Sequence, residues 1–494
     1  MGVVIMRRRD YIKQAVEEHL KTPAYRQLSA SQAKTSILHL RYKYLAFVSK
    51  HKDALGDEIA RFMMRGYTLY GDKVAKFRFT VKVHKQPIML RPVVSKVGTY
   101  IECVSKWLDY TLQALVQFLP SVVKDGKTLR DMVIELVLPK NAWLFTADAV
   151  SMYTNIDLVH AFAVMKDWMQ SLPSTSSLRF DFRPEVQEAI MDGLELVMRN
   201  NLMQFGDTYS LQEIGTAMGT SCAVIFANLY FGWHERQVIL PKYQGQFHAP
   251  MLQPSTLMPL RVHKRFIDDI FGVWVGTKSD FKKYVEDLNN FGILKWKASS
   301  LSKSVNFLDM TFSLEKNGRI TTRTFQKENN PYLYIPPHSA HAPGVIKGTV
   351  FGVVRRYYEQ NTYQQDYIFF TNLFFKRLLA RGWDAMVIKP IFINAMERLQ
   401  SENPSYNNHL PLSNIRDQLF IHITYHPCYT PRRIIRQIYE EELQEAILRY
   451  IHPFMKFTVC YSNPPNIQSH VANAALFEVE GEEVSKFITG ELLR

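Results

Sequence analysis

Two apolar stretches that end or turn on aspartate limit what this chain can fold into: LFTADAVSMYTNI at 144–156 and KRFIDDIFGVWV at 264–275. Both are rich in β-formers, yet a carboxylate among apolar strands is costly unless something cationic compensates it. Neighbouring residues of a regular strand point to opposite faces, so Asp268 and Asp269 cannot address one site from a straight strand. The pair therefore predicts a hairpin turn in which one carboxylate faces a site and its neighbour supports it. Hard carboxylate oxygens select magnesium, and two such ions about 3.5–4 Å apart can clamp the attacking and leaving oxygens of a phosphoryl transfer. An isolated Asp-Asp pair is more often a helix cap, so the surrounding sequence has to decide.

With 494 residues and 47% apolar content, the chain can bury several packed subdomains without covalent staples. Cys103, Cys222, Cys428 and Cys460 are too sparse for a disulfide framework, which points to an intracellular, reducing compartment. Charge is uneven: residues 1–100 hold 20 basic and 7 acidic side chains, nearly the whole net +14. Such a field attracts phosphate backbones by counterion release. Arg7, Arg8 and Arg9 interrupt the start, so no secretory leader is expected. The uncharged run at 214–234 contains Gly215, Gly219 and Asn228 and reads as a buried helix entered through a glycine turn, not as a membrane span.

Periodicity predicts a basic amphipathic helical region over 8–65, a strand hairpin over 73–94 about the Gln86-Pro87 turn, and helices at 101–118 and 129–136. A strand at 142–149 then ends near an aspartate, helix resumes at 161–169, and 174–183 is polar linker. Further strands are expected at 266–275 and 304–314, and helices at 364–381 and 431–450. Strands and helices mix without regular alternation, which favours an α+β sheet domain over a doubly wound one.

Three blocks in order, TADAVSMYTNI, GTAMGTSCAVIFANLYF and RFIDDIF, resemble the palm of reverse transcriptases, specifically those of Penelope-like retroelements. KVHKQPIMLRPVVS at 82–95 resembles the family's fingers, NFLDMTF at 306–312 the block closing the palm, and YLYIPPHSAHAPGVIKG at 332–348 the thumb. FIHITYHP and YSNPPNI also resemble family segments, so the likeness spans most of the chain. The resemblance implies a right-hand polymerase of α+β class with an antiparallel-sheet palm. Its parts would be a basic helical N-terminal region at 1–68, fingers at 69–140, palm at 141–320, and a helical thumb and C-terminal region at 321–494.

The implied activity is RNA-directed DNA polymerisation, with an RNA template, a DNA primer and dNTPs as partners. Metal ligands fall on Asp148, Asp268 and Asp269, which would hold two Mg2+ ions, with Mn2+ as a substitute. The Ala149 carbonyl adjoins them, and Tyr153 matches the bulky residue that excludes a sugar 2′-hydroxyl. Met218 and Gly219 match the turn beneath template and nucleotide; the plainer account of Gly219 is helix packing. Arg91, assisted by Lys82 or Lys85, would clamp the triphosphate. Lys295 and Lys297 are both candidates for the acid that protonates pyrophosphate, and Phe266 stands where many such enzymes have tyrosine and would stack beside the primer. Lys347, Arg355 and Arg356 fall in the thumb segment as nucleic-acid contacts.

His422, His426, Cys428 and His452 hint at zinc, but a strand through ITYHP keeps the first two well separated, and no zinc site is expected. His338 and His341 read as loop residues near nucleic acid. No block resembling the GIY-YIG nuclease of many relatives precedes Arg494, so an external nuclease or existing 3′ ends are expected to supply primers, and the start resembles an internal family segment. A nuclear location follows from the substrate. Two other classes remain open: a domesticated, inactive nucleic-acid-binding protein, and an RNA-dependent RNA polymerase, against which the bulk of Tyr153 speaks.

Overall fold

The computed structural model describes residues 5–82, 89–172, 182–245, 258–328, 330–342, 344–401, 418–426 and 456–462, together with Val484 and a few positions between 433 and 442. The chain divides into two compact units: 4–329 with 473–494, and 1–3 with 330–472. Strands in the first unit are β1 (Tyr25–Leu28), β2 (Ala75–Lys82), β3 (Met89–Ser95), β4 (Trp143–Ala149), β5 (Asn201–Phe205), β6 (Thr208–Gln212), β7 (Leu260–Phe266), β8 (Asp269–Trp274), β9 (Trp296–Ala298), β10 (Ser304–Phe307), β11 (Met310–Leu314) and β12 (Ile320–Thr324).

They form three sheets among the described residues: β1-β6-β5-β2-β3, β7-β8-β4-β9 and β10-β11-β12. The central four-stranded sheet is antiparallel throughout and buries both faces. Alternation along β4 explains this: Phe145, Ala147 and Ala149 join the large helical core, while Leu144 joins a second core with Phe271 and Val273 against the three-stranded sheet. The helix Ala223–His234 lies inside the large core with ten buried residues, which accounts for the uncharged run at 214–234. Trp168 of the helix Leu158–Gln170 locks onto it, its indole N–H donating to the Leu229 carbonyl at 2.9 Å. Among the described residues no helix is long and apolar enough to cross a membrane.

Gly272 sits opposite Phe145 across β4 and β8, where a Cβ would meet the Phe145 ring at 2.1 Å. That ring is itself boxed in by Phe281 and Tyr284, with centroids 4.9 and 5.4 Å away. Gly272→Ala should therefore overpack the core and cost about 1–3 kcal/mol, seen as a lower urea midpoint with unchanged slope.

The structure departs from the sequence-based outline in several places, among them the expected strand at 266–275, which begins only at Asp269. The region 8–65 is not continuous helix: Arg8–Ala15, Ala30–Lys50 and Asp57–Tyr70 are helical, but Pro23 breaks the run and β1 follows it to pair with β6. The expected strand at 304–314 is a tight hairpin of β10 and β11, turned by Leu308 with φ of 54°. The five-stranded sheet also joins strands from all three intervals expected as N-terminal region, fingers and palm, because β2 pairs in parallel with β5 through Ala75–Met203. This sheet thus runs across the expected divisions at 68/69 and 140/141. The hairpin of β2 and β3 is present, but its turn at 86–87, Lys85, most of the linker at 174–183 and most of the helix at 431–450 lie outside the described residues.

In the second unit the helices Val345–Gln360, Gln364–Ala380 and Ala385–Ser401 share a core of Val350, Val354, Tyr357, Phe370, Phe374 and Phe392. The strands β13 (Gln418–Thr424) and β14 (Lys456–Ser462) pair in parallel, with His422 opposite Cys460. Cys428 and His452 lie outside the described residues.

Candidate active site

Asp148 and Asp269 are directly opposite each other on β4 and β8, and they project from the same face of the sheet. Asp268 occupies the two-residue loop between Phe266 and Asp269, and its carbonyl accepts from the Ala149 amide at 2.8 Å. The pair caps no helix. Ordinary capping falls to other residues, such as Asp125 on Thr128 and Asp157 on Val159. The hairpin thus brings the carboxylates of Asp148 and Asp269 together from distant parts of the chain.

Burial raises the Asp269 carboxyl to about 6; the charges of Asp268 and Asp148 and a hydrogen bond with Asp148 add to this, and Lys327 opposes it. Three carboxylates therefore bear on one another here, with Lys327 opposing their mutual repulsion. A cavity of about 250 Å³ opens beside Asp148 and Asp269, lined also by Lys297, Asn306, Phe307 and Leu308. Among the described residues no three His, Cys, Asp or Glu side chains already converge as a metal's ligand set, so the third carboxylate is not preassembled onto the Asp148–Asp269 pair. The donor set is nevertheless of the kind Mg2+ takes: hard oxygens only, with Asp148 and Asp269 hydrogen-bonded to each other next to open space. Asp148, Asp269 and the neighbouring Asp268 are the residues that would hold it.

Of the two candidate lysines, Lys297 lines the cavity beside Asp148. It is the register partner of Asp148 on β9, whereas Lys295 turns its ammonium to the Asn289 carbonyl at 2.9 Å. Tyr153 lies in the single turn Met152–Thr154, entered through Ser151 with φ of 48°. Burial pushes its phenol up to about 12; the Asp268 charge adds to that and Arg91 opposes it, so all three groups share one electrostatic neighbourhood. Arg91 reaches it from β3.

The glycine loop is clamped between the Tyr153 turn and β3. Thr216 donates its amide to the Tyr153 carbonyl at 2.6 Å, and the Met218 carbonyl accepts from the Val94 amide at 2.7 Å. A Cβ on Gly219, whose φ is 105°, would meet the Val94 carbonyl oxygen at 2.7 Å. Backbone packing therefore requires this glycine whatever lies above it. Gly215, which sequence reasoning did not single out for the site, is equally constrained: with φ of 76°, its Cβ would stand 2.4 Å from the Tyr153 carbonyl oxygen.

Phe266 packs on the second core beside the three-stranded sheet. Lys82 ends β2, but its side chain and all of Lys85 lie outside the described residues. Lys347, Arg355 and Arg356 belong to the second unit, where Arg355 bonds Glu359 at 3.2 Å and Arg356 lies over the Tyr357 ring. His341 accepts or donates at Ser339, 2.8 Å away.

No protein-family model matches the sequence, and no curated protein matches it. Among solved structures, the chain is similar to a telomerase from Candida tropicalis truncated of its C-terminal domain, at 10% identity over 53% of this chain and 59% of that one, with a TM-score of 0.35. A telomerase from Candida albicans in complex with the TWJ fragment of telomeric RNA matches at 9% identity over 59% and 51%, with a TM-score of 0.39. The RNA-dependent RNA polymerase of BmCPV at quiescent state matches at 10% identity over 69% and 29%, with a TM-score of 0.38. The chain thus spans a little over half the length of these telomerase chains and under a third of the viral one.

Proposed function

We propose that this chain is a template-directed nucleic-acid polymerase, and specifically a reverse transcriptase of the Penelope-like kind, with β7-β8-β4-β9 as its palm. The observation that carries the reading is the cross-strand pairing of Asp148 with Asp269 beside a hairpin loop bearing Asp268. Two Mg2+ ions bound there would lower the pKa of a primer 3′-hydroxyl and neutralise charge on the departing pyrophosphate. Asp148 and Asp269 orient the centre from rigid strands. Arg91 is available to the triphosphate, and Lys297, facing the same cavity as Asp148, is the better placed of the two candidate proton donors. The basic tract over residues 1–100 would hold phosphate backbones with little regard to sequence.

Tyr153 supports deoxynucleotides over ribonucleotides, since its bulky, partly buried ring shares the electrostatic neighbourhood of Asp268. Primer extension on an RNA template, with dNTPs and then NTPs, tests the reading. Wild type should extend with dNTPs and Asp268→Asn should not. Extension with NTPs alone would replace the proposal by an RNA polymerase, and no extension with nucleic-acid binding intact would make it a binding protein. Tyr153→Ala should shift the ratio of kcat/KM toward NTPs by roughly 10–200-fold, the range a single steric contact commands.

A further inference from the structure

The loop that presents Asp268 turns through a residue ill suited to it. Ile267 has φ of 57°, a left-handed conformation that a β-branched side chain adopts only when its surroundings impose it. Two hydrogen bonds grip the loop from either side. The Asp268 carbonyl accepts from the Ala149 amide, and the Ile267 carbonyl accepts from Nη1 of Arg265 at 3.0 Å.

Arg265 has no freedom to do otherwise. Its side chain is fully buried, and its five N–H groups have five acceptors. Nε and Nη2 donate to the two carboxylate oxygens of Glu235 at 2.9 Å each, Nη1 to the Asn228 side-chain oxygen at 2.9 Å and to Ile267, and Nη2 to the Asn228 carbonyl at 3.1 Å. Glu235 is fixed in turn by the Ser121 hydroxyl at 2.6 Å and by His263 Nε2 at 2.8 Å, and the Tyr284 hydroxyl holds the other ring nitrogen of His263 at 2.9 Å. The guanidinium therefore ties the end of the buried helix Ala223–His234 to the aspartate loop.

We propose that Arg265, seated by Glu235, is a positioning residue for the carboxylate centre: by clamping the Ile267 carbonyl it sets the direction in which Asp268 and Asp269 leave the hairpin. The claim rests on the polymerase reading only where activity is measured. A mere core strut would act through stability alone, and the two roles separate in the double variant Glu235→Leu/Arg265→Met. Replacing a buried ion pair by apolar side chains of similar volume tends to preserve stability, yet it leaves the Ile267 carbonyl without its donor. Arg265→Lys provides the second comparison, because one ammonium cannot span Glu235, Asn228 and Ile267 together.

The experiment uses the full chain and four readouts: melting temperature, Mn2+ affinity by the free-ion EPR signal, amide exchange over 266–270, and primer-extension kcat and KM for dNTP. At unchanged or modestly lowered melting temperature, both variants should exchange faster across the loop, bind Mn2+ about 10–100-fold more weakly and lose kcat with little change in KM. Wild-type exchange and Mn2+ affinity in either folded variant would overturn the proposal. Should the double variant fail to fold, Arg265→Lys decides by the same readouts. If the wild type extends no primer, the polymerase reading falls, and the exchange and Mn2+ measurements still decide the role of Arg265.

Discussion

Asp148→Asn and Asp269→Asn should each abolish primer extension, lowering kcat by on the order of 10³-fold or more, while the protein melts at a higher temperature in metal-free buffer. The two effects have one cause. Asp148 and Asp269 are forced together by strand register, and the Asp269 carboxyl is raised to about 6 by burial and by two neighbouring negative charges. Removing one charge relieves that repulsion, so the apoprotein gains stability as the site loses the oxygens that would hold its ions. This opposition of activity and stability is what a functional carboxylate cluster shows and what a structural cap does not. Thermal melts with EDTA and with Mg2+ provide the check: added Mg2+ should raise the wild-type melting temperature and leave that of the asparagine variants nearly unchanged. Wild-type activity in either variant would end the polymerase reading.

Glu235→Leu alone is expected to be the most damaging substitution for the fold, costing about 3–5 kcal/mol, because it leaves the fully buried Arg265 guanidinium without its counter-charge. Chemical denaturation should show this as a large drop in midpoint, with much of it restored by adding Arg265→Met. The pair also makes a pH prediction. Burial pushes the Glu235 carboxyl up, but Arg265 and His263 outweigh it and hold the group at about 2, below its ordinary 4.5. A depressed carboxylate contributes stability that is complete above the unfolded pKa and is lost as pH falls through the folded one. The wild type should therefore lose this contribution between pH 4.5 and 2, and Glu235→Leu should show a flatter stability profile across that window.

Much of the site was legible before any coordinates. The β-formers around the aspartates were enough to predict β4, β8 and a hairpin turn at Asp268 and Asp269, since strand pattern is a local property of the chain, whereas β7 over 260–266 was not among the expected strands. The uncharged run with its glycines likewise announced the buried helix Ala223–His234.

Which groups meet across the fold was another matter. Lys295 and Lys297 are indistinguishable by composition, and only the register of β9 on β4 puts Lys297 opposite Asp148 while Lys295 bonds the Asn289 carbonyl. Arg91 comes near Tyr153 because a hairpin some 60 positions earlier is clamped to the glycine loop through Val94 and Met218. Gly219 looked like a surface for a ligand, and the close backbone of β3 already demands it. Arg265 read as one basic residue among sixty, yet its five donors find acceptors on three residues, Asn228, Glu235 and Ile267. Local periodicity written in the sequence determined the strands, the helix and the turn. Strand register and helix docking are long-range packing outcomes, and only the tertiary structure decided which charges those elements brought together.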